Sequence, residues 1–126
     1  MTKTLELKPV RDYPSFFRYY GGDPNQTCMA WGCAHGDGWF GLLKKLCDEI
    51  AASLDGEDFY FTQIKEKFGE LRIGCEGGNE KVGELIEAAE ERSTTVCELC
   101  GAPGEIGFVR PGWVQTLCGR CRRLQG

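Results

Sequence analysis

The sequence predicts an α+β fold: two helices packed on a β-hairpin or small antiparallel sheet, with a second hairpin at the C-terminal end. Three observations carry this. Apolar residues recur at helical spacing in two separate stretches. Between those stretches, two runs alternate with period two around a glycine. Near the C-terminus, Cys97-Glu98-Leu99-Cys100 and Cys118-Gly119-Arg120-Cys121 bracket an insert of seventeen residues, Gly101 to Leu117.

Taken in order, residues 1 to about 27 read as irregular or short extended chain, because Pro9, Pro14 and Pro24 each interrupt a helix. Phe16, Phe17, Tyr19 and Tyr20 form an aromatic group that belongs to a core or to a binding surface. The first helix is expected from about Trp39 to Leu54. It buries Leu43, Leu46, Cys47, Ile50 and Leu54, with Asp37 as its cap and Gly56 ending it. The hairpin follows over residues 58 to 76. Phe59 and Phe61 alternate on one strand, Leu71, Ile73 and Cys75 on the other, and Gly69 sits at the turn or a bulge. Asn79 then caps a second helix to about Arg92, with Val82, Leu85, Ile86 and Ala89 on its buried face and an acidic, solvated outer face. The domain organisation expected is residues 1–92 as an α+β region with an irregular N-terminal segment, and 93–126 as a four-cysteine ribbon packed against it.

The four C-terminal cysteines have metal-ligand spacing. Two thiolates two residues apart chelate one ion if the backbone turns sharply between them, and Gly101 and Gly119 suit such turns. Pro111-Gly112 fits a type II turn, and its flanks are β-branched and aromatic. The insert is therefore a hairpin that returns Cys118 to Cys97. This is a four-cysteine zinc ribbon with Zn2+ held by Cys97, Cys100, Cys118 and Cys121. Four thiolates leave no coordination position for water, so such an ion stabilises the fold and performs no chemistry. The competing use is a pair of disulfides. Met1 to Val10 contain no apolar signal segment, and that favours a reducing, cytoplasmic setting in which thiols bind metal.

A second cluster, Cys28, Cys33 and His35, offers three ligands for another metal, at a spacing that is not standard; buried cysteines acting as small hydrophobes are the plainer alternative. The glycines around Trp31, His35, Asp37 and Trp39 also allow a loop over residues 28–39 that grips a phosphate or carboxylate, which makes a small-ligand or nucleotide site there a further alternative. Enzyme motifs do not assemble. Cys47-Asp48-Glu49 followed by Cys97 and Cys100 matches a zinc deaminase only by letters, since Val96 stands where a proline is needed. The sequence leans away from an enzyme and supplies no catalytic residue.

Charge narrows the partner. Met1 to Cys47 carry +2, Asp48 to Arg92 carry −8, and Ser93 to Gly126 carry +2, for a net −4. An acidic chain is a poor prior for non-specific nucleic-acid binding, although Arg120, Arg122 and Arg123 give the tail a basic end that could touch phosphate. No stretch approaches the ~20 apolar residues of a membrane span.

The run Gln63-Ile64-Lys65-Glu66-Lys67-Phe68-Gly69-Glu70-Leu71-Arg72 resembles a segment of small phage and bacterial zinc-ribbon proteins. So do Ile86-Glu87-Ala88-Ala89-Glu90, the Cys97 to Gly101 turn, Gly112 to Cys118, and the earlier Trp31-Gly32-Cys33 and Gly36 to Trp39. The resemblance covers roughly residues 28 to 121. It implies a cytosolic, phage-type, zinc-containing protein and transfers no catalytic residue. The expected function is a zinc-ribbon module docking on a host protein complex, as a counter-defence or regulatory inhibitor. Candidate contacts are Trp31, His35, Trp39, Trp113, Arg120, Arg122 and Arg123. Nucleic-acid binding through the basic tail is the alternative.

Overall fold

The computed structural model describes residues 1–23, 29 and 32–125. It is an α+β fold. The elements run α1 (Lys3–Asp12), β1 (Cys33–Ala34), a 3-10 turn (Asp37–Trp39), α2 (Phe40–Ser53), β2 (Phe59–Lys67), β3 (Glu70–Gly77), α3 (Glu80–Ser93), β4 (Glu105–Arg110), β5 (Trp113–Leu117) and α4 (Gly119–Gln125). A three-stranded sheet has the order β1-β2-β3, and β4-β5 form a separate hairpin.

The expected hairpin and its two helices are present, and the physics is local. Phe59 and Phe61 point inward from β2 and are buried with Ile64 and Leu71. Lys67 pairs with Glu70 across a two-residue turn in which both Phe68 (φ 54°) and Gly69 (φ 83°) are left-handed. That is the type I′ geometry whose twist matches a hairpin. Glycine adopts it freely, whereas a phenylalanine there is strained. Leu43, Leu46, Cys47 and Ile50 form the buried stripe of α2, and Val82, Ile86 and Ala89 that of α3. Asn79 caps α3 by accepting the Val82 amide at 3.0 Å. Its own amide nitrogen donates to the Ser53 carbonyl, tying the start of α3 to the end of α2. Phe16 and Phe17 complete the core, with the Phe16 ring edge-on to Phe59 at 5.1 Å.

Four local expectations are corrected. The N-terminal segment is not irregular: α1 runs through Pro9. Proline removes one helical hydrogen bond, but tertiary contacts outweigh that loss. Pro9 is buried, and Glu6 accepts the Cys33 amide at 2.6 Å as well as the Tyr20 hydroxyl. The sheet is not purely antiparallel, because β1 lies parallel to β2, with Cys33 opposite Ile64. Asp37 does not cap α2. It sits in the 3-10 turn before the helix, and its carboxylate accepts the Thr2 amide. Finally, α2 ends at Ser53 and Leu54 is already in extended backbone, so Gly56 (φ 92°) bends the following loop and does not close the helix.

Two substitutions calibrate this scaffold. Phe61→Ala is expected to cost about 3–5 kcal/mol, since it removes a fully buried ring. Asn79→Ala is expected to cost about 1 kcal/mol as a lost cap. Urea denaturation measures both.

Candidate metal centre

The first cysteine turn follows α3 directly. Val96 bridges to Pro103, the Cys97 amide donates to the Ala102 carbonyl, and the Gly101 amide returns to the Cys97 carbonyl. Gly101 takes φ 84°, the left-handed conformation that lets this loop close on itself. The hairpin then runs out along β4 and back along β5. Gly112 (φ 77°) supplies the left-handed second position of the Pro-Gly turn. The second cysteine pair is built differently from the first. Gly119 does not open a glycine turn; it begins α4, and Cys118 stands just ahead of that helix with its sulfur accepting the Cys121 amide at 3.4 Å.

These turns bring four sulfurs together, all within 4.8 Å of one another, and Cys100 and Cys118 are 3.7 Å apart. A tetrahedral ion with metal–sulfur bonds of about 2.3 Å has sulfur–sulfur edges of about 3.8 Å. The set therefore fits one four-coordinate ion with little rearrangement. Among the described residues no other group of three or more histidine, cysteine or acidic side chains gathers in this way. All four cysteines are free thiols.

Two of the four sulfurs, those of Cys97 and Cys118, are electrostatically prepared to lose their protons, whereas hydrogen bonds to Cys97 and Cys118 hold the Cys100 thiol above its ordinary range. Burial opposes ionisation of Cys97, but the backbone amides of Cys118, Cys100 and Leu99 point at its sulfur and bring its pKa down to about 6. The Cys121 amide likewise holds Cys118 below the ordinary thiol range. Cys121 is pushed up to about 12, first by its hydrogen bond to Cys118, and so it keeps a proton until a cation displaces it.

The centre is locked to the rest of the chain through the glycine-rich loop. The Gly38 amide donates to the Glu98 carbonyl at 2.7 Å, and the Gly36 amide donates to the Glu98 carboxylate at 2.9 Å. The Trp39 indole donates to the Val96 carbonyl at 2.8 Å. A Cβ on Gly38 would lie 2.1 Å from the Cys97 carbonyl oxygen, and one on Gly36 2.4 Å from that of Glu98. These glycines are therefore spaces for the first cysteine turn. Glu98 is 6% exposed, and burial holds its carboxyl above the usual carboxylate range. On the other side Thr116 donates its hydroxyl to the Gly69 carbonyl at 2.6 Å, and Ile106 and Val114 rest against Gly69. The β4-β5 hairpin thus sits on the tip of the β2-β3 hairpin.

The remaining candidate residues fall in different places. Trp39 is fully buried, and His35, at 6% exposure, lies beside it with ring centroids 5.7 Å apart. The His35 Nδ1 hydrogen donates to the Gly36 carbonyl, which leaves Nε2 as a buried lone pair without a protein partner. Burial pulls its pKa down to about 4, so the ring is neutral at neutral pH. Cys33 is buried beside Glu6, and burial pushes its thiol up to about 12. Cys28 and Trp31, and with them part of the second candidate cluster, lie outside the described residues. Trp113 is half-exposed under the Arg110 guanidinium, which stands 4.7 Å from its ring centroid. Arg120 and Arg123 are exposed, whereas the Arg122 guanidinium is spent on the carbonyls of Glu105 and Phe108.

Composition and spacing missed Glu98 and the receiving glycines, whose only sequence signal was a carboxylate inside a Cys-x2-Cys turn. No family model, curated protein or solved structure matches this chain. No helix among the described residues is long and apolar enough to cross a membrane. Fold and site together define an α+β protein with a four-cysteine cluster suited to one metal ion.

Two outcomes test this centre. Gly38→Ala should loosen it from the body and lower the melting temperature while the four ligands stay intact. The pH dependence has a definite sign. The Cys97 thiol is depressed in the folded chain, so its thiolate favours the native, metal-ready state at high pH, and that contribution is lost as pH falls through about 6. Metal release followed with a chromogenic chelator should therefore rise steeply below that pH.

Proposed function

We propose that this chain is a binding module shaped by one structural Zn2+ and that it acts by docking on a protein complex, without turning over a substrate. Four thiolates are the donor set that zinc takes in closed, non-catalytic sites. The observation that carries the docking reading is the exposed apolar seam where the two hairpins meet. Phe68 and Phe108 are 72% and 71% exposed, and Ile106 lies about half-exposed between the two modules. Phe108 and Ile106 are two residues apart on β4, on the face that rests against Gly69. Exposed aromatics on two neighbouring hairpins mark a surface that another macromolecule covers. The strained backbone of Phe68 supports the same view: a side chain kept at a positive φ, unburied, is retained for something other than stability. In the phage-type setting that the sequence resemblance implies, the partner is a complex of the host cell.

The basic tail favours nucleic acid less. One of its three arginines is already engaged with backbone carbonyls, and a divalent ion held by four thiolates adds a net charge of about −2 beside the other two.

Phe68→Asn separates function from fold. Asparagine before glycine suits the type I′ turn, so the variant should be as stable as the parent or up to about 1 kcal/mol more stable. Combined with Phe108→Ser, it should abolish retention of a partner from bacterial host lysate while zinc content stays at one ion per chain. Retention should survive nuclease treatment. Retention that nuclease removes would transfer the reading to nucleic acid, and no retained partner at all would refute docking.

A further inference from the structure

A second candidate site lies away from the metal, in the cleft between α1 and α2. The cleft has a volume of about 370 Å³ and is lined by Lys8, Pro9, Arg11, Asp12, Phe40 and Lys44. The helical register explains the grouping. Lys8 and Arg11 are one turn apart on α1, as are Phe40 and Lys44 on α2, so each helix presents one cationic edge to the same space. Pro9 is buried and Phe40 half-buried, which makes an apolar floor. The Lys8 ammonium stands 5.7 Å from the Phe40 ring centroid.

Charge in the cleft runs opposite to that of the chain. Three cations meet one carboxylate, Asp12, in a protein whose net charge is −4. Among the described residues Lys8 and Arg11 enter no ion pair. Lys44 is paired at 3.1 Å with Asp48, whose carboxylate also accepts the Tyr13 hydroxyl at the rim. Two cations without a carboxylate partner therefore line the cleft, and one of them, Lys8, stands over the Phe40 ring. The glycine-rich loop, the other place where a small anion could be imagined, is filled by the backbone of Cys97 and Glu98.

We propose that this cleft binds a small ligand with a flat heteroaromatic ring and one or more phosphates, a mononucleotide by chemical class. The ring takes the place of the Lys8 ammonium over Phe40. Lys8 swings to a phosphate, and Arg11 meets another phosphate edge with its planar fork. The volume is that of a site for one small molecule. The proposal goes beyond the docking reading and does not depend on it.

The experiment is calorimetric titration of ADP, and separately of pyrophosphate and adenosine, into zinc-loaded protein freed of excess metal. One ADP per chain is expected at saturation. Lys8→Glu and Arg11→Glu should each weaken ADP binding about tenfold or more, with unchanged circular dichroism and zinc content, because both side chains are exposed. Phe40→Leu should weaken ADP and leave pyrophosphate unaffected. No saturable binding at millimolar ADP, undiminished binding in the Lys8→Glu, Arg11→Glu double variant, or pyrophosphate binding as tightly as ADP would each overturn the assignment.

Discussion

The interlock between Cys97-Glu98 and Gly36–Trp39 is the constraint on which the arrangement of the whole chain depends. A four-sulfur centre on a short hairpin has almost no apolar core of its own: among the described residues, Leu117 and the cysteines Cys97 and Cys121 are its buried apolar side chains. A metal ion can close that hairpin, but it cannot orient it. Orientation comes from three hydrogen bonds to the first cysteine turn and from two glycines without room for a side chain. The same loop leads directly into α2, whose apolar stripe is the centre of the main core. The cysteine turn and the core are therefore joined through a few contacts, and ordering that turn orders the entrance to α2.

Burying Glu98 shows what this arrangement costs and gains. A carboxyl taken out of water is unfavourable unless it is paired. Here one oxygen accepts the Gly36 amide and the other lies within reach of the Gln115 side chain. The result is a directional contact that a hydrophobic residue could not make, and it fixes which surface of the hairpin meets the body. The apolar seam of Phe68, Ile106 and Phe108 is a product of that choice. It exists only because the β4-β5 hairpin rests on the β2-β3 turn, and neither hairpin alone would display it.

Residues whose roles are set within a few positions along the chain were legible before any coordinates. The alternation of Phe59 and Phe61, the stripe of α2, the Asn79 cap and the Pro-Gly turn each express local sterics or periodicity. The two Cys-x2-Cys pairs belong with them, because chelation by a tight turn is a local geometric requirement. What was misread depends on distant contacts. Pro9 argues against a helix until Glu6 finds the Cys33 amide twenty-seven residues away. The glycines of the 36–38 loop look like an anion cradle until the cysteine turn fills them. Arg122 looks like a free cation until β4 presents two carbonyls to it.

By itself the sequence determined the α+β class, the positions of the second and third helices and of both hairpins, and which four cysteines gather at the C-terminal hairpin. Periodicity, capping and chelate spacing are written in neighbouring residues. Only the tertiary structure decided that α1 forms, that β1 joins the sheet in parallel, that Trp39 and His35 are interior, and that a cationic cleft opens between α1 and α2. Each of these rests on groups brought together from far apart in the chain, where packing and desolvation energies outweigh local propensity.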